Sequence, residues 1–199
     1  MGHQISISMS PTHKFLDISD HQAVSDEIYE YLITEVLNKK SFMYYIELPI
    51  SRVLLCCPLL VDFLNKHYLT PTLMAIIVAD SKEESLPIHR DNDGSMPFIR
   101  VLWPIRNCQG SRTRFWNMPD NGRLTTDSNG VIYTEFPNIQ GRELIAEFEL
   151  TSPVLLNVSI PHSVHPNPDL PGLRISFSMG FDRDLPISKS LKAWFGFQR

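Results

Sequence analysis

Cysteine, glycine and long apolar runs are all scarce in this chain of 199 residues. Its three cysteines, Cys56, Cys57 and Cys108, are odd in number and two are adjacent. Neighbouring residues seldom meet disulfide geometry, and no C-x-x-C spacing offers a zinc site, so the thiols read as free and mostly buried. That use of cysteine belongs to a reducing compartment. Nine glycines and fifteen prolines are far from a collagen-like or disordered bias. The longest purely apolar run, Val53 to Val61, contains Pro58 and is too short to span a bilayer. No basic stretch followed by an apolar core opens the chain, so the expected setting is cytoplasmic, away from the membrane. Charge of one sign is lacking too: 18 Lys and Arg against 22 Asp and Glu leave a formal net charge of −4. That balance argues against a general affinity for nucleic acid.

What remains, 43% apolar and 20% charged residues, suits one globular domain with a buried core. From Asp20 to Lys40, apolar residues recur at Val24, Ile28, Tyr31 or Leu32, and Val36, which predicts one helical face. A second helix is expected to start near Pro58, because proline is tolerated in the first turn, with Leu60, Phe63 and Leu64 as its buried stripe. After Tyr68 the pattern becomes short apolar or alternating runs at 72–79, 85–91, 98–105, 112–117, 130–136, 143–150, 153–164 and 173–181. Turn-rich pieces separate them, as in an all-β sandwich or barrel with helices at its N-terminus. The chain is therefore read as one domain, with a helical part over 1–70, a β core over 71–182 and an extension over 183–199.

Chemistry is concentrated in that β part. In Ile88-His89-Arg90-Asp91, side chains two apart share a strand face, so His89 and Asp91 can hold adjacent positions around a divalent metal. A lone His-x-Asp arises easily by chance, and a strand end running into a turn explains it equally well. A second apolar strand, Val154 to Pro161, ends on His162. With His89 and Asp91 it makes a two-histidine, one-carboxylate set, which leaves open positions on iron(II). His165 competes with His162 but falls on the opposite strand face. Twelve residues after His162 comes Arg174, sharing a face with Ser176 and Ser178. Its guanidinium fork stays charged and suits the far end of a dicarboxylate. An ordinary strand with a solvated face would show the same alternation.

The combination resembles the iron(II)/2-oxoglutarate-dependent oxygenases, and within them the aspartyl/asparaginyl β-hydroxylase and bacterial proline cis-hydroxylase branch. The likeness rests on Ile88 to Asp91, on Phe98-Ile99-Arg100-Val101-Leu102-Trp103-Pro104-Ile105, and on Pro161-His162-Ser163-Val164 followed by Arg174. It covers roughly residues 70–182. The resemblance implies a mostly β fold: a double-stranded β-helix (jelly-roll, cupin-like) with the N-terminal helices packed on it. It implies that His89, Asp91 and His162 ligate Fe(II) and that Arg174 binds the distal carboxylate of 2-oxoglutarate. Arg100 stands where a family arginine helps hold the carboxylate nearer the metal. Where β-hydroxylases add a histidine two residues later, this chain has Leu102. The implied activity is a dioxygenase that uses O2 to hydroxylate an amino acid, free or in a peptide, releasing succinate and CO2.

Two other readings stay open at this level. Arg100, Arg106, Arg112, Arg114 and Arg123 lie where Asp120 is almost the only acid, which would suit a nucleic-acid dealkylase on the same scaffold. A non-enzymatic jelly-roll binding module would make the His-x-Asp incidental. Asn157, Ser176 and Thr113 are candidate donors behind the ligands, whereas Trp103, Phe115 and Trp116 are expected in the core rather than the pocket. His3, His13, His21 and His67 read as surface or helix-end residues.

Overall fold

The computed structural model describes residues 12–37, 45–80, 87–91, 99–119, 121–126, 130 and 132–181. Two six-stranded antiparallel sheets form the body. The first joins β1 (His13–Phe15), β10 (Val154–Asn157), β5 (Ile99–Arg106), β12 (Leu173–Phe181), β3 (Leu73–Asp80) and β2 (Tyr45–Glu47), in that spatial order. The second joins β7 (Arg123–Thr126), β8 (Ile132–Glu135), β4 (His89–Arg90), β11 (His162–His165), β6 (Arg112–Asn117) and β9 (Glu143–Glu149). From β3 to β6 and again from β9 to β12, successive strands alternate between the sheets, the winding of a jelly-roll-like fold.

Strand alternation sorts the central sheet into two chemically different faces. Val101, Trp103, Met74, Ile76, Val78, Ile175, Phe177 and Met179 point outward into the larger core, shared with Ile28, Leu32, Leu60, Phe63 and Leu64 of the helices. Trp103 is fully buried there. It packs edge-to-face on Phe63 with ring centroids 5.0 Å apart, and its Nε1 donates to Ser25 Oγ at 3.0 Å and His21 O at 3.2 Å. The other face carries Arg100, Leu102, Arg174, Ser176 and Ser178 and looks toward the second sheet.

The helix α3 (Pro58–Lys66) begins on its proline and buries Leu60, Phe63 and Leu64, as the spacing predicts. The run from Asp20 behaves differently. Its α-helix α1 covers only His21–Tyr31 and widens to a π-helical turn over Leu32–Val36. A wider turn keeps residues four apart, Leu32 and Val36, on the buried side. The apolar run before Pro58 forms a separate helix, α2 (Ile50–Cys56).

Other departures are instructive. The N-terminal part is not only helical, because β1 and β2 supply both edges of the first sheet. Strands of three residues carry no readable periodicity. The expected run 153–164 is two strands in different sheets, split where Asn157 Oδ1 accepts the backbone N–H and the hydroxyl of Ser159 and Pro161 interrupts the ladder. Between the expected runs 112–117 and 130–136 lies a further strand, β7, a largely exposed Arg-Leu-Thr-Thr segment with no apolar alternation. Positions 81–86 and 92–98 and the extension over 183–199 lie outside the described residues.

Candidate metal centre

His162 on β11 is the direct cross-strand partner of His89 on β4, so the two imidazoles leave the same face of the second sheet, ring centroids 4.5 Å apart. Asp91 follows β4 by one residue and returns to that face. Its backbone N–H donates to Val158 O at 3.2 Å. One ligand atom from each of His89, Asp91 and His162 lies within 4.8 Å of the others. Asp91 Oδ1 is 3.4 Å from His89 Nε2 and 4.0 Å from His162 Nε2.

Both histidines are aimed by the same device. His89 Nδ1 lies 2.9 Å from Pro87 O, and His162 Nδ1 lies 3.0 Å from Ile160 O. A carbonyl only accepts, so each Nδ1 carries a proton, and Nε2 is the nitrogen that each ring turns toward Asp91 and, when uncharged, has free for a metal. The turn 157–161 serves both halves of the cluster. Val158 O holds the Asp91 backbone, Ile160 O holds the His162 ring, and Asn157 shapes the turn through Ser159. Asn157, a candidate donor in the sequence, is here an acceptor: its Oδ1 takes the N–H and the hydroxyl of Ser159 in the turn that carries Val158 and Ile160.

Electrostatics favour a receptive site. Burial alone would raise the Asp91 pKa, but the Arg100 guanidinium and the two imidazoles outweigh it and hold the carboxyl well below its usual range. Burial, with His89 as neighbour, pushes His162 down to about 4. Burial also opposes charge on His89, yet its hydrogen bond to Asp91 wins and raises its pKa. At neutral pH the cluster thus offers an ionised carboxylate and at least one uncharged imidazole.

Opposite this cluster lies the polar face of β12. Arg174 is only 2% exposed; its Nη1 donates to Ser176 Oγ at 3.3 Å, and among the described residues no carboxylate pairs with it. Its Nε, together with Tyr45 Oη and Thr113 Oγ1, is buried without a hydrogen-bond partner among the described residues. The cross-strand neighbours of Arg174 and Ser178 are Ala79 and Ala75, which leave space above the sheet. Arg100 is buried as well, its Nε 3.0 Å from Asp91 Oδ2 and its Nη1 donating to Ser178 Oγ at 3.4 Å. A buried cation without an anion among the described residues fits an acidic guest.

The remaining singled-out residues are distributed elsewhere. His165 points to the outer face, where its Nε2 meets Ser163 Oγ at 2.9 Å. His67 ends α3, and His21 holds Ile18 O through Nδ1. His13, expected on the surface, is instead stacked 4.4 Å from Phe148 and 6.0 Å from Phe115, because β1 turns it inward at the sheet edge. Phe115 is fully buried beside His162, and Trp116 faces outward, donating to Ser163 Oγ under the Arg142 guanidinium. The arginine-rich segment is largely neutralised: Arg112 and Arg114 pair with Glu147, Arg123 with Glu135, and Arg106 stacks on Tyr29. Tyr45 escaped sequence reasoning, since a three-residue strand far from the motifs announces nothing. His3 lies outside the described residues.

No family model and no curated protein sequence matches the chain. Among solved structures, SnoK, a non-heme alpha-ketoglutarate-dependent carbocyclase from nogalamycin biosynthesis, superposes with a TM-score of 0.52 at 12% identity. The superposition covers 84% of this chain and 77% of SnoK. The two share a fold. AviO1 from Streptomyces viridochromogenes Tue57 gives a TM-score of 0.48 at 15% identity, covering 89% of this chain and 92% of its own. The epimerase SnoN, solved with Fe3+, alpha-ketoglutarate and nogalamycin RO, gives 0.47 at 15% identity over 84% and 76%. These last two likenesses are weaker. At such identities the likeness to SnoK is one of architecture: a mostly β, jelly-roll-like chain. Among the described residues no helix is long and apolar enough to cross a membrane.

Proposed function

We propose that this protein is an iron(II)- and 2-oxoglutarate-dependent dioxygenase that hydroxylates an amino acid, free or in a peptide. The observation that carries the reading is the His89, Asp91 and His162 cluster; it is supported by Arg174, on the polar face of β12, which is buried without an acidic partner among the described residues. His89 and His162 would hold the metal through Nε2 and Asp91 through Oδ1. Arg174, steadied by Ser176, would grip the distal carboxylate of 2-oxoglutarate, and Arg100 is near enough to the metal ligands to steady the proximal one. Bound iron and 2-oxoglutarate would supply the oxidising chemistry with O2, releasing succinate and CO2. The chain's own contribution is placement. Two imidazoles are held in one tautomer by backbone carbonyls, and buried cations balance the charge of the acid. The apolar side chains Leu102, Phe115 and Leu156 help keep bulk water out. The amino-acid substrate and the hydroxylase branch rest on the motif resemblance. Pairing of most arginines between 106 and 123 with acids or an aromatic ring argues against the nucleic-acid dealkylase.

The test is the anaerobic visible spectrum of the protein with iron(II), before and after 2-oxoglutarate. A weak charge-transfer band that needs both components, and is lost in folded His162→Ala, is the expected result. No band in folded wild type would overturn the oxygenase reading.

A further inference from the structure

Asp91 divides its two carboxylate oxygens between different surroundings. Oδ1 faces both histidine Nε2 atoms, at 3.4 and 4.0 Å, whereas Oδ2 faces Arg100 Nε at 3.0 Å. Arg100 comes from β5 in the opposite sheet and is 4% exposed. A second contact, Nη1 to Ser178 Oγ at 3.4 Å, ties it to β12. The guanidinium is thus a strut running from the floor of the barrel to the far oxygen of one candidate ligand.

We infer that Arg100 is a positioning residue that holds Asp91 Oδ2, so that the carboxylate presents Oδ1 alone to the metal. The inference rests on the metal site proposed above. A carboxylate free to rotate can chelate a divalent ion with both oxygens. Two nitrogens and one oxygen leave half an octahedron open, and a chelating cosubstrate plus O2 need all of it. Chelation by Asp91 would remove one of those positions. A buried cation ion-paired with Oδ2 and hydrogen-bonded to Ser178 opposes the rotation, since turning Oδ2 toward the metal would strand a desolvated guanidinium. Five N–H groups allow Arg100 to serve Asp91 and Ser178 and still reach a carboxylate at the metal. Leu102, two residues on, packs in the apolar cluster with Phe115 and Leu156 and offers no competing polar contact.

The experiment uses cobalt(II) alone, without cosubstrate, and reads the infrared difference between metal-loaded and metal-free protein. A ligand bound through one oxygen separates the two carboxylate stretches widely; a chelating one brings them together. Wild type is expected to show the wide separation. Arg100→Met should show the narrow one, with cobalt affinity lowered about tenfold to a hundredfold. Arg100→Lys, which keeps a buried cation, should recover part of the wide separation. A narrow separation in wild type overturns the inference whatever the variants do. A wide separation retained in folded Arg100→Met overturns it equally, while leaving the metal site intact. Should Arg100→Met fail to fold, Arg100→Gln replaces it with the same two outcomes. If wild type binds no cobalt at all, the oxygenase reading itself fails, and the inference with it.

Discussion

Replacing Arg174 by methionine should make the ligand-free protein more stable while removing its response to 2-oxoglutarate. Arg174 is 2% exposed, its Nε has no partner, and its one side-chain hydrogen bond goes to Ser176 at 3.3 Å. Exchanging buried charge for packed apolar volume commonly stabilises by about 1–4 kcal/mol. At about 2–4 °C per kcal/mol for a chain of this size, a gain of about 2 kcal/mol raises Tm by about 4–8 °C. If wild type binds 2-oxoglutarate as proposed, the ligand at about 100 times its Kd would add about 2.7 kcal/mol, or about 5–11 °C. Losing one partner of a desolvated charge pair costs about 2–5 kcal/mol of binding. A loss of about 3 kcal/mol weakens binding roughly 160-fold, and at the same ligand concentration the remaining shift falls below about 1 °C. Thermal melts of both proteins with manganese(II), with and without 2-oxoglutarate, check the two effects together. An Arg174→Met protein that melts well below wild type and still shows the full 2-oxoglutarate shift would refute the reasoning on both counts.

Three further outcomes follow from the same geometry. Because burial lowers the folded pKa of His162 to about 4, the unfolded chain takes up a proton there that the folded one refuses. Metal-free stability should therefore fall as pH drops from about 6.5 toward 4, by on the order of 3 kcal/mol from this group. His89, whose folded pKa is raised, works in the opposite direction, contributing stability at low pH that is lost as pH rises through that pKa. Urea unfolding across that pH range checks the net acid limb, and a flatter profile in His162→Gln identifies its source; an unchanged profile would count against it. Asn157→Ala should loosen the turn that carries Ile160 O and Val158 O, lowering manganese affinity about tenfold or more with little change in overall fold. Calorimetric titration gives the number, and unaltered affinity would remove Asn157 from the support of the site. Tyr45→Phe deletes a buried hydroxyl that lies near the Arg100 guanidinium without a well-aligned hydrogen bond, so it should leave ligand-free stability unchanged or slightly higher. A loss above about 1 kcal/mol in urea unfolding would contradict that expectation.

Much of this protein was legible in its sequence wherever the signal is local. Proline at the first turn announced α3, and the alternation of Arg174, Ser176 and Ser178 with Ile175, Phe177 and Met179 announced a strand with one polar and one apolar face. The spacing of His89 and Asp91 put them on one side of the chain. These features depend on the helical and strand periods alone, which any short segment carries with it.

What the sequence could not decide are questions of which surfaces meet. Whether the polar face of β12 looks inward or into solvent depends on the helices covering its apolar side. The Pro161-His162-Ser163-Val164 setting favours His162 over His165, but only the pairing of β11 with β4 brings His162 opposite His89 while His165 turns outward. The arginines at 112, 114 and 123 resemble an anion-binding patch until sheet register brings Glu147 and Glu135 beside them. Tyr45 and His13 enter the interior on strands too short to recognise, and Arg100 finds Asp91 only because two sheets close on each other. Periodicity belongs to the segment, whereas pairing, register and closure are set by the free energy of the whole packed chain, so the site appears only once distant strands share a cavity.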